Sequence, residues 1–367
     1  MSTQRDRMLM VSSLPPPPGG IPTWTLGILE SSLSERFEIE VVNSSPSNAA
    51  CIDQSSRFRL DRARDAARIL LELLGALRRF RPRIVHVNTP YYWAFLRDGA
   101  GLWLASLFGA RTVLHFRGGD FPEFAARAPQ PIRWLILQTL RRADRLIALT
   151  RHTQRFLVDW VGPDSVRYVP NFIRLEDVGG VPDRSQRDGQ APRVLFVGWI
   201  VEAKGVCELL QAARHLPEAH FTLVGPQQGS FMAEIREELD SLKGHVEVLS
   251  ALPREEVAEL YRAADVFVLP THREGFPNTV LEAMAAGLPV IATPVGAIPD
   301  AVRHGEEGIL VPPRDAEALT EALAALVRDP ERRWALGARA RERAVRVFSL
   351  EVVVRQLAAL YDELLGE

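Results

Sequence analysis

Twelve short runs rich in β-branched and aromatic residues punctuate this chain, and the stretches between them repeat at helical spacing. Six lie in the first half, at Met8–Ser13, Phe37–Val42, Ile84–Asn88, Thr112–His115, Leu146–Leu149 and Val166–Val169. Six more follow at Val194–Val197, Phe221–Val224, His245–Leu249, Val266–Leu269, Val290–Ala292 and Gly308–Val311. Strand-length runs alternating with helical patterns signal parallel βα units. The clearest helix, Arg62–Phe80, is apolar at Ala66, Ile69, Leu70, Leu73, Leu74 and Leu77. Around Leu175–Ala191 the sequence turns polar and rich in Gly, Asp, Arg and Pro, which reads as a linker. The pattern predicts an α/β chain of two doubly wound, Rossmann-like domains facing a cleft. Ligands are then expected beyond the carboxyl ends of the strands. Residues 1–178 form the first predicted domain and 190–347 the second. The segment 348–367 is left for a final helix, with apolar residues at Val352, Val353, Leu357, Leu360, Leu364 and Leu365.

A length of 367 residues lets each half bury its own core. A net charge of −2 gives no general attraction to nucleic acid or anionic membrane. Two cysteines, Cys51 and Cys207, fall in different halves, so a reducing cytosol is expected rather than a disulfide framework. The apolar run after the amino terminus is too short for a signal peptide. The most apolar long stretch, Tyr91–Ala110, is broken by Arg97 and Asp98. These features predict a cytoplasmic protein. The segment Pro131–Arg142, with Trp134 between Arg133 and Arg141, reads as an ordinary amphipathic helix; peripheral membrane contact is its second reading. Neither half carries G-x-G-x-x-G after its first strand, which argues against a dehydrogenase. No His/Cys/Asp/Glu group has metal-ligand spacing, no D-x-D stands in a loop, and no G-x-S-x-G elbow is present, so neither a metal nor a cofactor is expected.

The segment Glu274-Gly-Phe-Pro-Asn-Thr-Val-Leu-Glu282 carries the most chemistry. Pro277 is suited to the first position of a helix, where its missing N–H costs nothing, and Gly275 allows a tight turn before it. The predicted helix amino end is suited to phosphate. Glu282 is the only charge in an otherwise apolar helix. An ionised carboxylate buried there without a partner would be costly, and a ligand's hydroxyl groups would satisfy it.

This segment resembles the E-x7-E motif of retaining GT-B glycosyltransferases of family 4. The resemblance implies that Glu274 contacts the donor sugar, that the amides around Gly275, Phe276, Asn278 and Thr279 hold the distal phosphate, and that Glu282 binds ribose hydroxyls. It implies a nucleoside diphosphate sugar as donor and a sugar or lipid-linked glycan as acceptor, with polysaccharide or glycoconjugate synthesis as the setting. It further implies that the final helix returns to the first domain. The loop Gly198-Trp199-Ile200-Val201-Glu202-Ala203-Lys204-Gly205 is similar to the family's G-R-x4-K-G, in which the Lys neutralises the diphosphate. Trp199 stands where the pattern has Arg, and Trp cannot supply that charge. Arg151, Arg174 and Arg303 are candidate substitutes.

In the first half, Gly19 and Gly20 precede a helix predicted near Thr23–Ser34, and two glycines allow backbone to approach a ligand closely. The family's equivalent loop faces diphosphate and acceptor. His115 ends a strand, and the resemblance gives its imidazole or a nearby carbonyl a contact with the donor sugar. Arg117 and Asp120 behind it read either as acceptor ligands or as a mutual pair. Asn171 reads as a turn residue matching the family's P-N pair, and His86, with Asn88 after it, ends another strand and reads equally as a site residue or as core. A nucleotide-sugar-binding subunit without catalysis, suggested by Trp199, and a nucleotide-sugar epimerase are the alternative functions.

Overall fold

A computed structural model describes residues 5–16, 19–45, 60–90, 93–181 and 190–366 of the chain. Cys51 and positions 182–189 of the linker lie outside these residues. The chain divides into two compact units, one of Met1–Asn171 with Leu350–Glu367 and one of Phe172–Ser349.

Unit 1 holds a six-stranded parallel sheet of β1 (Asp6–Ser12), β2 (Phe37–Asn43), β3 (Ile84–Thr89), β4 (Arg111–Phe116), β5 (Arg145–Ala148) and β6 (Val166–Tyr168), in the order β2-β1-β3-β4-β5-β6. All six residues of β3 are buried, as expected for a parallel strand covered on both faces. Register is set by apolar pairs such as Met8↔Ile84 and Val87↔Leu114. The helix Leu60–Phe80 lays Ile69, Leu73, Ala76 and Leu77 into a core shared with Leu9, Val85 and Leu114.

Unit 2 repeats the plan with β7 (Arg193–Val197), β8 (His220–Val224), β9 (Val246–Leu249), β10 (Val266–Leu269), β11 (Val290–Ala292) and β12 (Gly308–Leu310), ordered β12-β11-β10-β7-β8-β9. In each unit the first strand lies inside the sheet and the chain then reverses direction across it. That reversal creates a topological switch point, between β1 and β3 in unit 1 and between β7 and β10 in unit 2.

The helix Leu350–Leu365 belongs to unit 1, where Val353, Leu357, Leu360 and Leu364 are buried. Each such side chain contributes about 1.5–3 kcal/mol on burial. Tyr361 on this helix lies 2.7 Å from His86 Nδ1. Ile173 pairs with Ser349, so the outgoing and returning chain run side by side. Among the described residues no helix is long and apolar enough to cross a membrane.

Candidate functional site

The loops that leave β7 and β10 start from hydrogen-bonded neighbours, since Val266 pairs with Val194. They therefore flank the switch point of unit 2. After β7, the amide of Gly198 donates to the Val224 carbonyl at 3.0 Å, and that of Ile200 to Pro226 at 2.8 Å. These bonds pin the backbone on either side of Trp199, whose ring is left 58% exposed. A 3-10 turn over Glu202–Lys204 follows, ending at Gly205 with φ 73°. A Cβ there would stand 2.1 Å from the Pro270 carbonyl oxygen, so only glycine lets this turn press on the end of β10. The helix Val206–Arg214 begins immediately after it.

The loop after β10 is braced against that turn. The amide of His272 donates to the Ala203 carbonyl at 2.9 Å, and the Thr271 hydroxyl reaches the same oxygen at 3.2 Å. His272 Nε2 pairs with Glu208 Oε1 at 2.9 Å, with both side chains largely buried. This bracing brings the Lys204 ammonium onto the Glu274 carboxylate, the two side chains being 21% and 18% exposed. From the other side, Gly296 with φ 58° presses on the loop; a Cβ there would meet the Glu274 carbonyl oxygen at 2.2 Å. The Ala297 amide donates to the Gly275 carbonyl at 2.7 Å. Phe276 is buried, its ring centroid 5.9 Å from that of Phe348.

The helix Asn278–Ala285 opens this segment toward its second carboxylate. Pro277, expected inside the helix, is instead its N-cap with φ −74° and ψ 116°. No side chain caps this end. The amides of Asn278 and Thr279 lie in its first turn, where the helix dipole favours an anion.

Glu282 has a partner within the protein, contrary to the expectation from sequence. Tyr261, on the helix Arg254–Ala263, donates from its hydroxyl to Glu282 Oε2 at 2.9 Å. Burial raises the carboxyl above its usual range; the Tyr261 hydrogen bond and the Arg254 charge oppose the rise, and Asp177 adds to it. Arg254 is itself salt-bridged to Asp177. Arg254 and Tyr261 are seven residues apart on one helix, two turns along a single face, which is the signal that sequence reading passed over. Nothing in the sequence marks the Glu208–His272 brace.

Of the cations considered as substitutes at Trp199, Arg303 is committed to the buried Glu307, its Nε lying 3.0 Å from Oε1. Arg151 belongs to unit 1, its guanidinium 4.0 Å over the Tyr168 ring. Arg174 precedes the short turn Leu175–Asp177 and acts electrostatically on Asp177. A hollow at the opposite, amino end of β7–β9, lined by Arg193, His220 and Gly244, stands apart from these loops.

In unit 1 the helix predicted near Thr23–Ser34 spans Gly20–Leu29, with Gly19 as its uncapped N-cap, so both glycines belong to the helix start. At the carboxyl ends of β1 and β3, Asn88 donates to the Ser12 hydroxyl at 2.8 Å, and that hydroxyl lies 2.6 Å from Thr25 Oγ1. The His115 imidazole is fully buried, and both ring nitrogens are engaged, by His86 Nε2 at 3.2 Å and Arg117 Nη1 at 3.2 Å. Held this way, the ring packs inside unit 1 between His86 and Arg117. Arg117 turns to His115 and to Asn171 Oδ1, 2.6 Å away, rather than to Asp120, which is the N-cap of the helix Phe121–Arg127. The helix Gln130–Arg142 buries Ile136, Thr139 and Leu140 and leaves Trp134 64% exposed. Among the described residues no group of three or more His, Cys, Asp or Glu could hold a metal ion.

Two doubly wound parallel units, each with polar side chains at its switch point, define an α/β architecture that takes ligands beyond the carboxyl ends of its strands. Comparison with known proteins makes it specific. Residues 181–343 match the glycosyl transferases group 1 model, and residues 18–177 match glycosyltransferase family 4. A D-inositol 3-phosphate glycosyltransferase from Thermobispora bispora is 32% identical over 342 residues, covering 83% of this chain and 78% of the relative. The fold matches sucrose-phosphate synthase from Thermosynechococcus elongatus at a TM-score of 0.79, with 22% identity over 99% of this chain and 100% of that one. It matches Anabaena HepE in complex with UDP at 0.74, with 18% identity over 98% of this chain and 100% of that one. The chain belongs to the GT-B glycosyltransferases of the family 4 type, and it is a glycosyltransferase.

Proposed function

We propose that this enzyme transfers a hexosyl group from a nucleoside diphosphate sugar to an acceptor hydroxyl with retention of anomeric configuration. One observation carries the reading: neighbouring strands at the switch point of unit 2 bring Lys204 onto Glu274 just ahead of a helix amino end that no side chain caps, and Glu282 lies further along that helix. The helix amino end and Lys204 receive the diphosphate. Glu274 leaves Lys204 for hydroxyls of the donor sugar, which frees the ammonium for the leaving group. Glu282 accepts from ribose hydroxyls while Tyr261 holds its other side. The acceptor oxygen bonds to the anomeric carbon on the face from which the diphosphate departs. The acceptor proton passes to the departing phosphate oxygen, so no protein base is required. Stabilisation of the diphosphate charge is the main catalytic contribution.

The acceptor is a sugar or a lipid-linked glycan, and the exposed Trp134 face is where membrane contact would form. UDP-sugars are the first donors to test, because a structural neighbour holds UDP. Purified protein is to be incubated with UDP-, GDP- and ADP-sugars, and products followed by proton NMR of the anomeric centre. Donor consumption that needs an acceptor and keeps the anomeric configuration is expected. An inverted product, or an epimer formed without acceptor, would sink the reading. Because protein groups carry the charge work, turnover in excess EDTA should equal turnover without it. Activity lost with chelator and restored by manganese would move that work to a metal.

A further inference from the structure

Unit 1 contains a buried cation to which the transfer mechanism above gives no role. Arg117 follows β4 at the carboxyl edge of the sheet and is 8% exposed. Its guanidinium lies 4.5 Å over the Trp24 ring. Of the five N–H groups a guanidinium carries, one on Nη1 reaches His115 and one on Nη2 reaches Asn171. Its Nε is buried without a hydrogen-bond partner among the described residues. Burial alone pushes the guanidinium down to about 9, with no carboxylate acting on it among the described residues. Buried charges are ordinarily paired, and this one is not.

The neighbouring histidines cannot supply the missing charge. A guanidinium only donates, so His115 Nε2 accepts and the His115 proton sits on Nδ1. That proton is donated to His86 Nε2 at 3.2 Å, which places the His86 proton on Nδ1, facing Tyr361 at 2.7 Å. Both imidazoles are neutral, and burial holds His86 at about 3 and His115 well below its usual value. The relay from the final helix through two histidines fixes the direction of the guanidinium without neutralising it.

We propose that Arg117 is the counter-ion of a phosphate-type oxyanion on a ligand of this enzyme, oriented by the His86–His115 pair. A planar guanidinium with N–H groups to spare matches a phosphate bidentately, and strand carboxyl ends are where such sheets take ligands. The inference rests on the glycosyltransferase reading only for its two sources, the donor's diphosphate and an acidic group on the acceptor.

The test titrates the full chain with inorganic pyrophosphate, UDP, and glucose 6-phosphate against glucose, in wild type, Arg117→Gln and Arg117→Lys. Arg117→Gln should hold or raise Tm, since it removes a lone buried charge, and should weaken an anionic probe about 10- to 150-fold. A loss on pyrophosphate and UDP identifies the donor diphosphate; a loss on glucose 6-phosphate alone identifies an acidic acceptor. Unchanged affinity for all three in folded Arg117→Gln overturns the proposal, as does failure of wild type to bind any of them. If Arg117→Gln does not fold, Arg117→Lys decides: it lacks the fork and should bind at least about tenfold more weakly, and wild-type affinity overturns the proposal. Wild type that binds pyrophosphate but no nucleoside diphosphate would sink the nucleotide-sugar reading and leave Arg117 standing.

Discussion

At the carboxyl edge of the second sheet Lys204 is matched by Glu274 and Arg254 by Asp177, whereas Arg117 at the same edge of the first sheet has only neutral neighbours among the described residues. The pairs of unit 2 are partly exposed. Such pairs contribute little to stability and exchange partners at small cost. On the function proposed above, a ligand that takes over Glu274 would leave Lys204 free to act, so that charge in unit 2 would be delivered on binding. In unit 1 the charge is fixed in place by burial and by a tautomer-locked relay. One edge holds charge in reserve and the other holds it in position.

The largest expected effect breaks the reserve. Lys204→Ala should lower transfer about 10²–10³-fold, the value of one preorganised group on developing charge. Its fold should survive, because a partly exposed ion pair is worth about 0–1 kcal/mol. Steady-state rates with a saturating donor measure this. Near-normal transfer would place the diphosphate away from this loop and dissolve the contrast between the two edges.

Glu282→Ala should weaken binding of the bare nucleoside diphosphate about 10- to 150-fold, since ribose hydroxyls lose a charged acceptor. Calorimetry with UDP reads it directly. Glu274→Gln is the matched control and should leave UDP affinity near wild type while turnover falls, because its contact is with the sugar. If the two variants lose affinity equally, Glu274 is a loop brace and not a sugar ligand.

Every predicted strand is present within two residues; the central strands, such as β3 and β10, are buried on both faces and read as continuous apolar runs. The Glu274–Glu282 segment was legible for a different reason: a glycine, a proline and two isolated carboxylates leave few local structures open. Contacts between distant segments were not legible. Tyr261 reaches Glu282 across 21 positions and Tyr361 reaches His86 across 275, and no periodicity encodes either. His115 is a third case: its place at a strand end was legible, but the partners of its ring come from β3 and, through His86, from the final helix. Pro277 fell one position outside its expected place because its ψ of 116° ends the extended loop rather than starting the helix.

Tyr261→Phe is a smaller perturbation that sharpens the account of Glu282. Removing one hydrogen bond of about 0.5–1.5 kcal/mol should weaken the nucleotide about 2- to 12-fold. The variant should also shift a pH profile. Burial raises Glu282 and the Tyr261 bond lowers it, so the ionised form, the one proposed to bind ribose, is lost as pH falls through the raised value. In the variant that loss should begin at higher pH. For stability the sign is opposite: an acid raised by folding favours the native state at low pH, and this contribution is lost as pH rises from the ordinary carboxylate range through the raised value. Nucleotide affinity measured against pH in both proteins decides it; superimposable profiles would mean the hydroxyl does not act on Glu282.

The smallest expected effect tests whether unit 2 lacks a fixed charge because it does not need one. Trp199 is 58% exposed, and its backbone is held by bonds on either side that do not involve the ring. Trp199→Arg should therefore change stability by no more than about 0.5 kcal/mol. Its rate should stay within about twofold of wild type, the equivalent of that energy, with any change upward, since an added cation beside Lys204 attracts the diphosphate. The informative measurement is the double variant. If the site depends on charge count, Arg at 199 should recover part of the activity lost in Lys204→Ala, while leaving the wild-type background almost unmoved. Recovery would show that a permanent cation can replace an exchangeable one. A tenfold or greater loss in Trp199→Arg alone would mean that the exposed ring itself contacts a substrate, and the contrast would then be between a fixed cation in unit 1 and a fixed aromatic platform in unit 2.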